Sequence, residues 1–269
     1  MAIITKITTQ QKNQDRFNVF MDYGKGEEFA FSVDSDVLIK FQLKKGIEID
    51  DFSFMEIQFQ DDIRKAYNLA INYLSWRMRS AKEIIDYLNQ KEVEEPVIEE
   101  VVHKLTSQKY INDEDYAFAF VRTQANTTDK GPDLIKLELK ERGIEEGLRL
   151  KALGEYSLEL QIEKATKMSE KFFQKNSKDS LKIQKQKLEQ LLLRKGYPFE
   201  VINIAVNETD ANKEDDAEME AIRFQGEKAH RKYSKYSGFE YEQKMKQALY
   251  RKGFTMELIE RFLAEIEES

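Results

Sequence analysis

The sequence predicts a mainly α-helical chain: tandem repeats of three-helix bundles forming an elongated curved stack, with a small β-rich cap at the N-terminus. Three observations lead there. From about Asp61 onward, apolar residues recur at the three-and-four spacing of amphipathic helices almost without interruption. A slot reading Arg-Lys-Gly-aromatic returns late in the chain at an interval of a little over 50 residues. The first 60 residues instead carry the β-branched and aromatic runs that favour strands.

Within that first segment, "IITKITTQ" and "RFNVFMDY" read as strands, and Gly24–Lys25–Gly26 turns the chain into a third, "EEFAFSVD". Ser35 to Lys45 reads as a short helix closed by Gly46, and "IEIDDFSFMEIQF" (47–59) as a fourth β-like stretch. After it, "IRKAYNLAINYL" places Ile63, Ala66, Tyr67, Ala70, Ile71 and Leu74 on one helical face. All three prolines, Pro96, Pro132 and Pro198, stand where a helix can begin, because first-turn N–H groups have no intrahelical partner to lose.

The repeat is explicit when "LLLRKGYPFEVINIAV" (191–206) is set beside "ALYRKGFTMELIERFL" (248–263). Leu192 matches Leu249, Gly196 matches Gly253, Tyr197 matches Phe254, Val201–Ile202 match Leu258–Ile259, and Val206 matches Leu263. "LKERGIEEGL" fits through Leu139, Gly143, Ile144 and Leu148; "LNQKEVEEPVIEEVV" fits with Glu92 in the glycine slot. The glycine ends one helix in a left-handed conformation and turns the chain into the next. The expected divisions are a cap at 1–60 and three-helix repeats at 61–122, 123–156, 157–207 and 208–269.

Composition narrows the chemistry. A chain without cysteine has no disulfide framework and no thiolate chemistry, which fits the cytoplasm. The opening residues do not read as a signal peptide, and no apolar run is long enough for a membrane span. A net charge of −7 argues against a general nucleic-acid coat, although a local basic stripe can still bind phosphate. His103 and His230 have no neighbours at ligand spacing, and no glycine-rich phosphate loop is present, so no catalytic residue, metal site or cofactor is expected. Acidic pairs such as Asp61–Asp62 and Asp215–Asp216 are expected to face solvent.

One stretch concentrates unusual residues: "NYLSWRMRSAKEIIDYL" (72–88), with the chain's single tryptophan. Ser80 followed by Glu83 reads as a capping box. Trp76 and Met78 cannot both point outward on this reading, and Trp76 is expected to plug the junction between helices. Arg77 and Arg79 precede the cap; spacing alone leaves open a local salt bridge to Glu83 or Asp86 and a contact for phosphates or an acidic partner. In "KYINDEDYAFAFVRTQ" (109–124), Asn112 or Asp113 caps the next helix. A basic face follows at Lys178, Lys182, Lys185, Lys187, Arg194 and Lys195, either solvated or a surface for phosphates or an acidic partner.

The segments at 73–88, 109–121 and 131–144 ("GPDLIKLELKERGI") resemble the RecX family, bacterial regulators of the RecA recombinase, and the later repeats match only the looser pattern. Tyr73, Leu74, Arg77, Arg79, Ser80 and Glu83 match its first motif; Tyr110, Asn112, Asp113 and Tyr116 its second; Gly131, Leu139, Arg142, Gly143 and Ile144 its third. The length and β-like start resemble the longer members from Gram-positive bacteria, while Glu92 departs from the helix-ending glycine. The resemblance implies a non-catalytic partner of RecA filaments on single-stranded DNA. Such a protein lodges in the filament groove and inhibits strand exchange, ATP hydrolysis and the SOS co-protease activity, within homologous recombination and DNA repair. It implies action as a monomer, without membrane or cofactor, and some members also bind DNA, single- or double-stranded. The basic residues of the best-matched segments, Arg77, Arg79, Lys82, Arg122, Lys136 and Arg142, are the candidate contacts. The competing reading is a helical-repeat protein that acts on DNA directly.

Overall fold

The computed structural model describes residues 2–210 and 215–267. They fall into two compact units, Met1–Tyr116 with Arg142–Ile144, and Ala117–Glu141 with Glu145–Ser269.

In the first unit, β1 (Ala2–Thr9), β2 (Arg16–Asp22), β3 (Glu27–Asp34) and β4 (Glu48–Ile49) form an antiparallel sheet in the order β3-β2-β1-β4. The hairpin turn between β2 and β3 is tied by the Asp22 carboxylate, which accepts from the Gly24 and Gly26 amides at 2.7 and 3.0 Å. One sheet face buries Ile4, Val19, Met21, Phe31 and Val33 against α1 (Ser35–Lys40) and α2 (Asp51–Leu74).

Two expectations change here. The helix from Ser35 ends at Lys40, not Lys45, because Gln42 turns left-handed (φ 51) and the Leu43 amide donates back to Leu38. That turn drives Leu43 into the core under the sheet, and Gly46 instead leads into the return strand, its amide donating to the Ile4 carbonyl. The fourth β-like stretch is a strand only at Glu48–Ile49; from Asp51 it is helix. Asp50 caps that helix by accepting from the Ser53 amide at 2.7 Å. Ile57 then faces the sheet while Ile63, Ala66 and Ala70 face the next core, so α2 serves both along its length of about 36 Å.

Where α2 crosses the sheet edge, Asp61 is 2% exposed, against the expectation of a solvent-facing carboxylate. It accepts from Arg16 at 2.8 Å, from the Asp34 amide at 2.8 Å, and pairs with Lys65 at 2.9 Å. Burial opposes its ionisation, but these donors outweigh burial and hold it below the usual carboxylate range. Asp62 next to it is exposed; the Asp215–Asp216 side chains lie outside the described residues.

The three-helix pattern follows. The second half of α2 packs with α3 (Ala81–Gln90) and α4 (Glu95–Ser107) around Ile84, Leu88, Val97, Ile98, Val101 and Leu105. Next come α5 (Asp113–Thr127), α6 (Pro132–Glu141) and α7 (Glu146–Leu153). Then α8 (Leu158–Lys175), α9 (Leu181–Arg194) and α10 (Phe199–Asp210) enclose Leu188, Leu192, Tyr197 and Ile202. Last, α11 (Asp215–Tyr233), α12 (Gly238–Arg251) and α13 (Met256–Glu267) enclose Ile222, Leu249, Phe254 and Ile259. The aligned positions Leu192/Leu249, Tyr197/Phe254 and Ile202/Ile259 are all buried. The expected divisions after residues 60 and 122 fall inside α2 and α5.

The repeated glycine has a second duty beyond turning the chain. At each of three places, the start of a middle helix grips the carbonyl just before a glycine of the following repeat. Ser80, the N-cap of α3, donates from Oγ to the Arg142 carbonyl at 2.8 Å, ahead of Gly143. Gly131, just before α6, donates from its amide to the Lys195 carbonyl at 2.7 Å, ahead of Gly196. Ser180, the N-cap of α9, donates to the Lys252 carbonyl, ahead of Gly253. The fit leaves no room for a side chain. A Cβ on Gly196 would stand 2.5 Å from the Leu134 amide nitrogen, and one on Gly131 would stand 2.3 Å from the Gly196 oxygen. Glu92 holds the same left-handed turn (φ 59) in the first repeat, exposed, because no three-helix repeat precedes it.

Substitution should separate turn from fit. Gly196→Ala and Gly131→Ala are each expected to cost about 2 kcal/mol or more in denaturant unfolding, from steric overlap plus, at Gly196, a strained φ. Glu92→Gly should be neutral or stabilising by up to about 1 kcal/mol, since only the turn is at stake there. Equal costs at all three positions would refute the distinction.

Candidate functional site

Ser80 and Glu83, Asn112 and Asp113, and Arg142, one group from each of the three matched segments, meet at the start of α3 within the first unit. Ser80 accepts from the Glu83 amide at 3.2 Å while the Glu83 carboxylate accepts from the Ser80 amide at 3.1 Å, a complete capping box. The next free amide, that of Ala81, donates to Asp113 at 2.8 Å. Asn112 caps α5 by accepting from the Glu114 amide at 3.0 Å, which leaves Asp113 available for α3. Arg142 closes the group through its carbonyl on Ser80. Two carboxylates therefore sit at the positive end of one helix, where its dipole favours them.

Glu83 does more than cap. Its Oε1 pairs with Arg77 at 2.6 Å and with Arg79 at 3.4 Å. Burial opposes its ionisation, but the Ser80 amide, Arg77 and the Tyr116 hydroxyl prevail and hold the carboxyl below the usual range. The Tyr116 hydroxyl is pushed up by burial and by that neighbouring carboxylate.

The two arginines differ. Arg79 is 13% exposed and lies 4.0 Å over the Tyr73 ring, which in turn stacks on Tyr87 at 4.1 Å. That column of aromatic rings and guanidinium fills the junction between α2 and α3. Arg77 is half exposed, with one nitrogen donating to the Met78 carbonyl at 3.1 Å. Asp86, the other expected partner, takes Lys82 at 2.6 Å instead.

Trp76 does not plug the junction; it is 85% exposed, and Met78 is 51% exposed, so both point outward. The reason is that Tyr73, Tyr87 and Arg79 already occupy the space. A local pattern cannot reveal which of several aromatic residues wins a shared cavity.

The remaining candidates lie in the second unit. Arg122 pairs with Glu155 at 2.6 Å, and Lys136 stands 3.9 Å from Glu146. Of the basic residues on and before α9, Lys187 pairs with Asp179 at 2.7 Å, and Lys178 lies 4.5 Å over the Phe224 ring. His103 is exposed on α4, and His230 Nδ1 lies 2.7 Å from the Tyr241 hydroxyl. Among the described residues, no three His, Asp or Glu side chains gather as a metal site would require.

Sequence reasoning missed one surface. The end of α11 and the turn after it carry Lys228, Arg231, Lys232 and Lys235, all exposed. Lys228 lies 4.1 Å over Phe224, and Lys232 and Lys235 lie over Tyr233 and Tyr236. The run "KAHRKYSKY" held the signal, a charge block interleaved with aromatics.

The shared carboxylate gives a pH test. Glu83→Gln keeps the cap acceptor and removes the charge, and is expected to cost about 1–2 kcal/mol near neutral pH by urea unfolding. The native carboxyl titrates below 4.5, the ordinary glutamate value. Its contribution is thus complete above that value and is lost as the pH falls through the lowered native one. The gap between wild type and variant should close in acid; a gap unchanged at about pH 2 would refute the ionic role.

Comparison with known proteins places the chain. Residues 2–50 match the regulatory protein RecX N-terminal domain, 66–105 the first three-helix domain of RecX, 112–153 the second, and both 159–206 and 216–263 the third. Regulatory protein RecX of a Geobacillus species is 48% identical over 269 residues, covering 100% of this chain and 98% of its own. That of Bacillus subtilis is 46% identical over 267 residues, covering 99% and 100%. Among solved structures, a crystal structure of regulatory protein RecX aligns with a TM-score of 0.67 at 34% identity, over 77% of this chain and 100% of that one. RecX from Lactobacillus salivarius aligns with a TM-score of 0.54 at 41% identity, over 56% and 99%. With the cap, the repeats and the α3 junction all accounted for, the chain belongs to the RecX family of regulatory proteins.

Proposed function

We propose that this chain is a non-catalytic regulator that binds RecA filaments on single-stranded DNA and inhibits their recombinase, ATPase and SOS co-protease activities. The observation that supports the reading is that residues of all three RecX-like segments, Ser80, Asp113 and Arg142, meet at one helix start, with Arg77 and Lys82 exposed beside it. The chain acts as a monomer in the cytoplasm, without a cofactor. Arg77, Lys82 and Arg142 contact the recombinase from the first unit, and Arg122 and Lys136 from the second. Arg79 supports Arg77 from below through Tyr73 and Glu83. The working division remains a cap and four three-helix repeats. Inhibition follows from preferential binding to one state of the filament, since a ligand shifts an equilibrium only by its differential affinity.

The test is steady-state ATP hydrolysis by RecA on single-stranded DNA. The wild-type chain should lower it, and Arg77→Ala with Lys82→Ala should raise the concentration for half-inhibition by about tenfold with helicity retained. Unaltered inhibition by the folded double variant removes these two residues from the interface.

A second reading, direct binding to DNA, is favoured by the basic and aromatic end of α11. Under it, binding to bare single-stranded DNA weakens steeply with salt, and Lys228→Ala, Arg231→Ala, Lys232→Ala and Lys235→Ala each flatten the logarithmic slope by about 0.7. A shallow slope that none of the four alters rejects this reading.

A further inference from the structure

Two surfaces of the chain carry opposite charges that the fold leaves unpaired. The first is a groove between α3 and α4, about 550 Å³ in volume. Its floor is apolar, from Ile85, Ile98 and Val102, and Glu95, Glu99 and His103 line it at successive turns of α4. Glu92, Glu94 and Glu100 are exposed on the same turn and helix. Among the described residues, none of these five glutamates pairs with a base. The lysines nearby are engaged elsewhere: Lys82 with Asp86, Lys91 over the Tyr87 ring and Lys104 over the Tyr67 ring. From Lys82 to Lys104 the chain holds seven carboxylates against three lysines.

The second surface is the corner where α11 gives way to α12. Lys228, Arg231, Lys232 and Lys235 are exposed there, with no carboxylate among them. Lys178 joins them over the Phe224 ring and Lys244 over the Tyr236 ring. The flanking carboxylates are Glu227 and Glu240, and Glu240 is taken by Lys244 at 3.5 Å. Phe239, the second residue of α12, is 76% exposed.

Helix dipoles explain only part of this. They favour acids in the first turn of α4 and bases in the last turn of α11, but the effect fades within one turn. Glu99 and Glu100 on α4 and Lys228 on α11 lie beyond that reach. Glu95 and Glu99 stand four residues apart, as do Lys228 and Lys232, a spacing at which like charges on a helix repel. Each helix therefore holds a repulsion that opposite charge from outside would relieve. The groove offers carboxylates around an apolar floor, and the corner offers lysines around an exposed ring, so each supplies what the other lacks.

We propose that the α11–α12 corner of one copy docks in the α3–α4 groove of a second copy, with Phe239 on the apolar floor and Lys232 and Lys235 against Glu95 and Glu99. The contact makes no use of the carbonyl grips between repeats. It goes beyond the function proposed above: the dilute chain is a monomer, and copies join as they are concentrated. Resting on exposed charges and one ring, the contact has a dissociation constant on the order of 10–100 µM at low salt.

Sedimentation equilibrium of the full chain, free of nucleic acid and of RecA, tests this from about 5 to about 300 µM in about 50 mM salt. The average mass should climb above the 31.7 kDa of one chain as concentration rises, and return to it in about 500 mM salt. Two reversals are compared, Glu95→Lys with Glu99→Lys, and Lys232→Glu with Lys235→Glu. Each alone should stay at the mass of one chain, with helicity retained. An equimolar mixture of the two should associate again, because each surface then finds its opposite on the other variant. Both variants keep a net negative charge, so attraction between them must arise at the sites themselves. Phe239→Ala should weaken association about fivefold or more. A wild-type chain that stays at the mass of one copy throughout overturns the proposal. So does undiminished association by either reversal or by Phe239→Ala, or a mixture that fails to associate. Loss of oligo-dT binding on Lys232→Glu with Lys235→Glu, in a chain that never self-associates, would assign the corner to nucleic acid and equally overturn it. The effect on RecA is read separately, so these outcomes leave the proposed function standing.

Discussion

A helix begins with amide groups that have no partner inside it, and this protein uses that deficit three times to attach one repeat to the next. At Ser80 and Ser180 the side-chain oxygen accepts from its own helix and its hydroxyl hydrogen is given to a backbone carbonyl of the following repeat. At Gly131 the backbone amide does the same work, and Asp133 adds a second bond, to the Gly196 carbonyl at 3.0 Å. Each grip requires a carbonyl presented by a left-handed turn with no side chain in the way. The Arg-Lys-Gly pattern is therefore a backbone requirement. Its glycine is fixed by contact at a few ångströms, and the residue before it supplies the carbonyl that is gripped.

At the first of these grips the structural and the exposed features share atoms. Glu83 caps α3 through one oxygen and collects Arg77 and Arg79 through the other. Arg79 then bears on Tyr73, and Tyr73 on Tyr87. A change at any member is felt by the others, so effects within this group will not add independently. Arg79 in particular, 13% exposed, is a member of a packed column before it is a surface charge.

Much of the architecture was legible because its signals are local. The prolines at helix starts, the Ser80–Glu83 spacing and the glycine slots each act within a few residues, and each sits where the chain's own chemistry puts it. The stretch at 47–59 misled because apolar residues at Phe52, Phe54, Ile57 and Phe59 fit strand alternation and a helical face nearly equally; Asp50, capping at Ser53, decides for the helix. Asp61 and Trp76 misled for a different reason. Whether a carboxylate is buried depends on an arginine 45 residues earlier, and whether a tryptophan is buried depends on which ring arrives first. Neither fact is present in the spacing around the residue itself. The candidate contacts were legible as residue types, but their division into propping and exposed members needed the geometry.

The two ends of the repeat series differ from its middle in one respect. Every internal grip joins unlike surfaces, the start of a helix on one side and a glycine turn on the other. A contact of that kind has no built-in stopping point: a chain that carried both halves intact at its extremities could add further copies head to tail without limit. Here neither extremity is intact. The first repeat offers Glu92 where the turn would need to be bare, and in the last repeat Ser237 makes no capping bond through its side chain. A single glutamate in place of glycine thus leaves the first repeat without the bare turn on which the later repeats are gripped.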